Sequence, residues 1–104
     1  MTFDTFAELL RQRLTNLGYK TKSGDCGDLF YIENYFNSTN LFKIDYKGSN
    51  FHYAANPTDQ FWTPSHNYTF SNLKALYVLA KKYYIDAKEK KIKDKLNEIN
   101  KDFQ

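Results

Sequence analysis

Apolar and charged residues alternate strictly from Phe42 to Lys47, and this pattern limits the fold more than any other feature of the chain. A period of two is typical of a strand that buries one face and exposes the other. The pair Gly48-Ser49 follows directly and favours a two-residue hairpin turn. We therefore predict an antiparallel hairpin, paired as Lys47 with Asn50, Tyr46 with Phe51, Ile44 with Tyr53 and Phe42 with Ala55.

Further segments extend this hairpin into a sheet. Residues 29–36 are rich in aromatic side chains and lead into Asn-Ser-Thr-Asn, which predicts a strand and a turn. The sequence Asn-Pro-Thr-Asp at 56–59 favours a type I turn. Residues 60–63 then return as another strand, which Pro64 ends and which places Trp62 on the apolar face. Together with a short extended piece after the first helix, the sequence predicts an antiparallel meander of about four strands.

The N-terminal segment has the pattern of an amphipathic helix. Apolar residues recur every three or four positions from Phe3 to Leu17, which places them on one face of a helix. Thr2 is suited to cap the start of this helix, and Gly18 is suited to end it in the left-handed conformation.

The C-terminal part of the chain carries a second helical pattern. The apolar stripe at 70–84 predicts a helix, with Thr69 or Ser71 as its cap. Beyond this stripe a narrower one continues in a lysine-rich background. We predict one domain at 1–84, followed at 85–104 by an amphipathic helix that either continues the second helix or packs on the domain as a separate one.

These elements add up to an α+β fold of two layers: an N-terminal helix, an antiparallel meander, and a C-terminal helix or helix pair. The 104 residues suffice for one domain, and an aromatic content of 18% predicts a largely aromatic core. The net charge of +3 resides in the segment from Lys81 onward, which holds eight lysines and five acidic residues. Such a mild excess permits a nucleic-acid role without requiring one.

Residues for catalysis or metal binding are few. Cys26 is the only cysteine, which excludes an internal disulfide, and the neighbouring Asp25 and Asp28 disfavour its thiolate. His52 stands opposite Asp45 in the predicted register and could act as an acid-assisted base, but such cross-strand pairs commonly serve only to stabilise a sheet. The sequence therefore predicts a protein that is not an enzyme and that uses no cofactor or metal.

Two groups of residues are candidates for binding a partner. On the sheet face away from the helices, aromatic residues and lysines are interleaved, which suits base stacking or a protein interface unless a helix covers this face. Its candidates are Tyr31, Tyr35, Lys43, Lys47 and Phe61. The lysine-rich tail has three interpretations: it contacts phosphates, it is a solvated helix face, or it forms a seam that joins two copies in a homodimer. Its candidates are Lys88, Lys90, Lys91, Lys93 and Lys95.

The composition points to a class of protein. The chain is small and rich in Lys, Asn, Tyr and Phe, and it contains an aromatic hairpin. The segment YTFSNLKALYVLAKKY at 68–83 follows this hairpin. In these features the chain resembles small accessory proteins that phages and mobile elements of AT-rich Gram-positive bacteria carry. The resemblance implies a class that includes anti-CRISPR proteins and other inhibitors of host machinery.

The leading hypothesis is a small non-catalytic binding protein, encoded by a phage, that inhibits a host protein or ribonucleoprotein such as a CRISPR nuclease by occluding its surface. The alternative is a protein that binds nucleic acid directly with the same sheet face and basic tail. The lone cysteine and the lack of an apolar leader or spanning segment predict a cytoplasmic protein of the infected or lysogenic host, with no membrane partner.

Overall fold

The chain folds into two layers, a five-stranded antiparallel sheet and a pair of helices on one of its faces. The computed structural model describes residues 1–25, 27–58 and 63–102, with side chains up to Asn97. The strands lie side by side in the order in which they occur along the chain. The predicted two-layer α+β fold is confirmed. The elements are α1 (Phe3–Leu17), β1 (Lys20–Ser23), β2 (Gly27–Tyr31), β3 (Asn40–Asp45), β4 (Asn50–Tyr53), β5 (Thr63–Ser65) and α2 (Phe70–Asp102).

Helix α1 begins and ends where the sequence predicts. The side chain of Thr2 accepts a hydrogen bond from the backbone N–H of Thr5, which satisfies one of the free donors at the helix start. Gly18 adopts a left-handed conformation with φ of 108°, and its N–H donates to the carbonyl oxygens of the last helical turn. The buried face of α1 carries Phe6 and Leu10, and the Phe6 ring stacks on that of Phe51 at 4.8 Å.

The central hairpin buries the predicted face but in a different register. Ile44 pairs with Phe51 rather than with Tyr53, so each partner is displaced by two residues. The two-residue turn predicted at 48–49 is wrong, because four residues connect β3 to β4. The Asp45 carboxylate accepts a hydrogen bond from the Gly48 N–H and closes this wider turn. A shift of two residues preserves the alternation, so Phe42, Ile44 and Phe51 are all buried as expected.

The strand predicted at 29–36 is too long. Strand β2 ends at Tyr31, and the chain then turns through 32–39, where Asn34, Phe36, Asn37 and Ser38 all have positive φ. A β-bulge between β2 and β3 accompanies this change and leaves the consecutive residues Leu41 and Phe42 both fully buried. The apolar residues of 32–36 therefore pack as a turn against α2 rather than as a strand.

The last strand lies later in the sequence than expected. Strand β5 spans Thr63–Ser65 at the edge of the sheet, so the prediction that Pro64 ends a strand is wrong. Proline is tolerated there because an edge strand does not need every N–H for pairing. The predictions for Phe61, Trp62 and the rest of 59–62, and for the loop residue Cys26, lie outside the described residues.

Helix α2 is continuous from Phe70 to Asp102, so the C-terminal segment extends the second helix. Thr69 caps it, since its hydroxyl accepts from the N–H of Asn72. Tyr83 anchors α2 to the sheet: its hydroxyl donates to the carbonyl oxygen of Ala54 at 2.6 Å. One continuous aromatic core therefore joins both helices to the inner face of the sheet, with Phe6, Leu10, Leu14, Phe30, Phe42, Ile44, Phe51 and Leu73 among its fully buried members.

Candidate interaction surfaces

The sheet face that points away from the helices forms the first candidate surface, the outer sheet face. Antiparallel pairing aligns one residue from each strand in a row across it, in the order Lys22, Leu29, Lys43, His52 and Pro64. A parallel row places Lys20 beside Tyr31. Because side chains alternate along each strand, these residues all lie on the face opposite Phe30, Phe42 and Phe51.

The outer sheet face carries three lysines, Lys20, Lys22 and Lys43, together with the carboxylate of Asp45. Burial, followed by the charge of Lys43, lowers the pKa of His52, while Asp45 acts in the opposite direction. The prediction that His52 stands opposite Asp45 is wrong: Lys43 is its cross-strand partner, and Asp45 pairs with Asn50. The hydrogen bond from the Gly48 N–H is the main cause that lowers the pKa of Asp45, so this carboxylate holds the turn.

The predicted sheet residues do not all share this surface. Tyr31 and Lys43 lie on the outer sheet face, and Lys47 is exposed in the turn between β3 and β4. The prediction that Tyr35 points outward is wrong, since its side chain is only 2% exposed and its hydroxyl donates to the Asp86 carboxylate at 2.6 Å. The turn at 32–39 causes this difference, because it breaks the alternation that the prediction assumed. Phe61 lies outside the described residues.

The solvent side of α2 forms the second candidate surface. Its apolar residues Val78, Ile85, Ile92 and Leu96 are 59%, 47%, 60% and 56% exposed, and we refer to them as the outward stripe. The core-facing side of α2 carries Leu73, Leu76, Ala80 and Tyr83. Val78 stands two residues before Ala80, which corresponds to about 160° around the helix. Helix α2 is therefore apolar on two opposite sides, and the core covers only one of them.

Comparison of the chain with protein-family models, with curated proteins and with solved structures finds no match.

A groove of about 620 Å³ adjoins the outward stripe. It lies between α2 and the segment after β4, and its walls include Val78, Ile85 and Pro57. The hydrogen bond between Tyr35 and Asp86 lies at its wall; burial, then this bond, raises the pKa of Tyr35 far above its usual range. The tyrosine therefore stays protonated and serves as a donor that fixes α2 against the turn at 32–39.

The predicted tail lysines are all exposed on α2, in the layer opposite the outer sheet face. Two of them also contact aromatic rings: the Nζ of Lys88 lies 4.9 Å from the ring centroid of Tyr84, and that of Lys90 lies 4.1 Å from the centroid of Phe36. The first contact lies within α2, between residues four apart, whereas the second joins α2 to the turn at 32–39. Sheet lysines and tail lysines therefore belong to two separate surfaces.

Several residues of both surfaces were absent from the sequence-based set. Lys20 and Lys22 share the outer sheet face with Lys43, because β1 is an edge strand that pairs with β2. Val78 and Ile85 were not singled out, although they continue the seven-residue spacing of Ile92 toward the N-terminus of α2. That spacing was the available signal, and the stronger stripe on the core side of the same helix obscured it.

Among residues 1–25, 27–58 and 63–102, no group of three or more His, Cys, Asp or Glu side chains is placed to hold a metal ion. In the same part of the chain no helix is both long and apolar enough to cross a lipid bilayer. What both surfaces offer is contact area, apolar on α2 and basic on the sheet.

Proposed function

We propose that the protein is a non-catalytic binding protein that docks on a partner protein, free or within a ribonucleoprotein, through the outward stripe of α2. The observation that carries the proposal is the exposure of Val78, Ile85, Ile92 and Leu96 in line on the helix side opposite the core. Exposed apolar residues aligned in this way are typical of a protein-interaction surface.

The energetics support a protein partner. Fully burying a valine, leucine or isoleucine side chain contributes roughly 1.5–3 kcal/mol, and the residues of the outward stripe are about half exposed in the free chain. Burying the exposed half of all four would contribute roughly 3–6 kcal/mol before the costs of association. Nucleic-acid backbones gain little from such apolar contacts, since their affinity comes mainly from charge.

The compositional resemblance to accessory proteins of phages and mobile elements supports a role as an inhibitor. In this role the domain occludes a surface of host machinery, such as a CRISPR nuclease, without chemistry of its own. A continuous 33-residue helix suits this role, because the outward stripe is already in helical form before binding, which lowers the cost of ordering it.

The outer sheet face favours direct nucleic-acid binding as a second candidate function. Lys20, Lys22 and Lys43 stand on one face with Tyr31, which suits contact with phosphates and stacking on a base. This face has only one aromatic residue among its described members, since Tyr35 is buried. We therefore rank it below the protein-binding function.

A capture experiment separates the two functions. The tagged protein is incubated with a lysate of a Gram-positive host that carries CRISPR machinery, with and without nuclease, and the retained molecules are identified. We expect a protein that survives nuclease and that is lost with the double substitution V78S/I85S. Both residues are about half exposed, so the double variant should keep its melting temperature within a few degrees.

The matched control is the double substitution K22Q/K43Q on the outer sheet face. It should leave capture of the protein partner unchanged. Recovery of nucleic acid alone, abolished by K22Q/K43Q and unaffected by V78S/I85S, would refute the proposal in favour of the second function.

A further inference from the structure

Four lysines accompany the outward stripe at regular intervals. Lys74, Lys81, Lys88 and Lys95 are exposed and seven residues apart, and we refer to them as the lysine ladder. Each seven-residue step is about 10.5 Å along the axis and falls about 20° short of two turns, so the ladder stays on one side of the helix.

The ladder flanks the stripe residue by residue. Lys74 stands four positions before Val78, and Lys81 stands four positions before Ile85. Lys88 has the same relation to Ile92. Residues four apart are neighbours on a helix surface, so each of these apolar side chains has one lysine beside it on the same side.

The acidic residues of α2 are absent from this flank. Asp86 and Glu89 lie on the other flank of the stripe, among Lys82 and Lys93, and Asp94 lies toward the core-facing side. For the side chains described up to Asn97, the ladder flank is therefore purely cationic, while the opposite flank is neutral overall.

We propose that the segment of the partner that binds α2 is an amphipathic helix whose apolar stripe is bordered by Asp and Glu on the side that meets the lysine ladder. This inference rests on the proposed function and adds the chemistry of the partner. Charge complementarity supports it, because an acidic border would place a carboxylate near each lysine at intervals of two helical turns.

A second copy of the chain meets this requirement poorly. In a twofold antiparallel pair each flank faces the same flank of the other copy, which would place ladder against ladder. In a parallel pair the ladder would face the neutral flank, where Lys82 and Lys93 offset Asp86 and Glu89. Neither arrangement neutralises the ladder.

A membrane surface is also a poor match. The outward stripe covers only about 40° of the helix circumference, because its members lie at steps of seven and four residues. Helices that lie in a bilayer interface have a broad apolar face, of the order of 100° or more. A narrow stripe with one charged border is the geometry of a contact between two helices.

The test uses two synthetic peptides of about three heptads. Both carry the same isoleucine and leucine residues; one has glutamate at every flanking position and the other has lysine there. Binding to the full-length protein is measured by fluorescence anisotropy at low and high salt. We expect the acidic peptide to bind at least tenfold more tightly than the basic one, with the preference falling at high salt.

Two matched variants locate the preference. The substitutions K81E/K88E reverse two charges of the ladder, and K82E/K93E make the same change in net charge on the opposite flank. We expect K81E/K88E to weaken binding of the acidic peptide about tenfold, because two attractive exposed pairs become repulsive. The control K82E/K93E should weaken it by less than about threefold.

Equal effects of the two variants, or no preference for the acidic peptide, would overturn the inference. Sedimentation that shows a dimer lost in V78S/I85S would overturn it as well, since the second copy would then be the occupant. These results leave the proposed function intact if the capture experiment retains a protein through the stripe. Failure of the capture experiment would instead remove the proposed function.

Discussion

Replacing Tyr83 with Phe removes one buried hydroxyl and leaves the ring in place. Tyr83 is 4% exposed, and its hydroxyl donates to the carbonyl oxygen of Ala54, which is fully buried. The ring contacts, such as that with Phe42 at 6.3 Å, do not depend on the hydroxyl. The substitution therefore tests the hydrogen bond that ties α2 to the end of β4.

The expected cost follows from the unsatisfied acceptor. Loss of a buried hydrogen bond that leaves one partner without a donor costs about 1–3 kcal/mol. For a domain of this size that lowers the melting temperature by about 5–14 °C. The measurement is unfolding by heat and by urea, followed by circular dichroism, with the urea m-value as a check that both proteins unfold in the same way.

Tyr77 provides the matched control on the same helix. Its side chain is half-buried, and its hydroxyl makes no hydrogen bond to any residue that the structure describes. The free energy of unfolding of the variant Tyr77→Phe should stay within about 0.5 kcal/mol of the original. If Tyr83→Phe is equally neutral, the argument that this bond holds α2 in place is refuted.

Two further substitutions test the ends of secondary structure. Gly18→Ala should lower the free energy of unfolding by at least about 1–2 kcal/mol, because an L-residue is strained at φ of 108° and its Cβ would lie 2.6 Å from the Tyr84 hydroxyl oxygen. Urea unfolding measures this change. An unchanged free energy of unfolding would contradict the left-handed cap. Asp45→Ala should lower the free energy of unfolding at neutral pH, but not at a pH below the pKa that the Asp45 carboxyl group has in the folded protein. The hydrogen bond from Gly48 lowers the pKa of Asp45, so its contribution is complete above about pH 4 and is lost as the pH falls through the folded value. A difference in stability between Asp45→Ala and the original that does not change with pH would contradict this account.

Local rules were sufficient for α1 and for the faces of the central strands. The cap at Thr2, the stop at Gly18 and the apolar spacing between them all lie within one segment, so no distant contact is needed to predict them. The buried face of β3 and β4 was also predictable, because an error of two residues in register keeps Phe42 and Ile44 on the same side.

The direction of the Tyr35 side chain and the register of β3 and β4 could not be predicted, because both depend on contacts beyond the local sequence pattern. Tyr35 alternates with its neighbours as a strand residue would, yet it turns inward to Asp86, which is 51 positions away. The register of β3 and β4 depended on whether Asp45 closes a four-residue turn, and the Gly48-Ser49 pair alone favours a shorter one. Neither outcome can be read from a pattern of polarity.

The outward stripe of α2 was not recognised from the sequence, because the same helix carries a stronger apolar stripe on its core-facing side. The sequence predicts a strong apolar stripe at 70–84 and a second, narrower stripe only beyond that segment. The structure buries Leu73, Leu76 and Ala80 of the first stripe, whereas Phe70 at its start is 70% exposed. Val78 lies on the opposite side from the buried positions, but that became clear only once the packing showed which side the core covers. The exposed face was therefore a product of tertiary structure.

Site-specific photo-crosslinking in the host cell tests the central claim most directly. A photoreactive phenylalanine analogue replaces either Ile85 on the outward stripe or Lys43 on the outer sheet face, and the products are identified after irradiation. We expect one crosslinked protein partner with the analogue at 85 and none at 43. Crosslinks only at 43, to nucleic acid and not to protein, would contradict it.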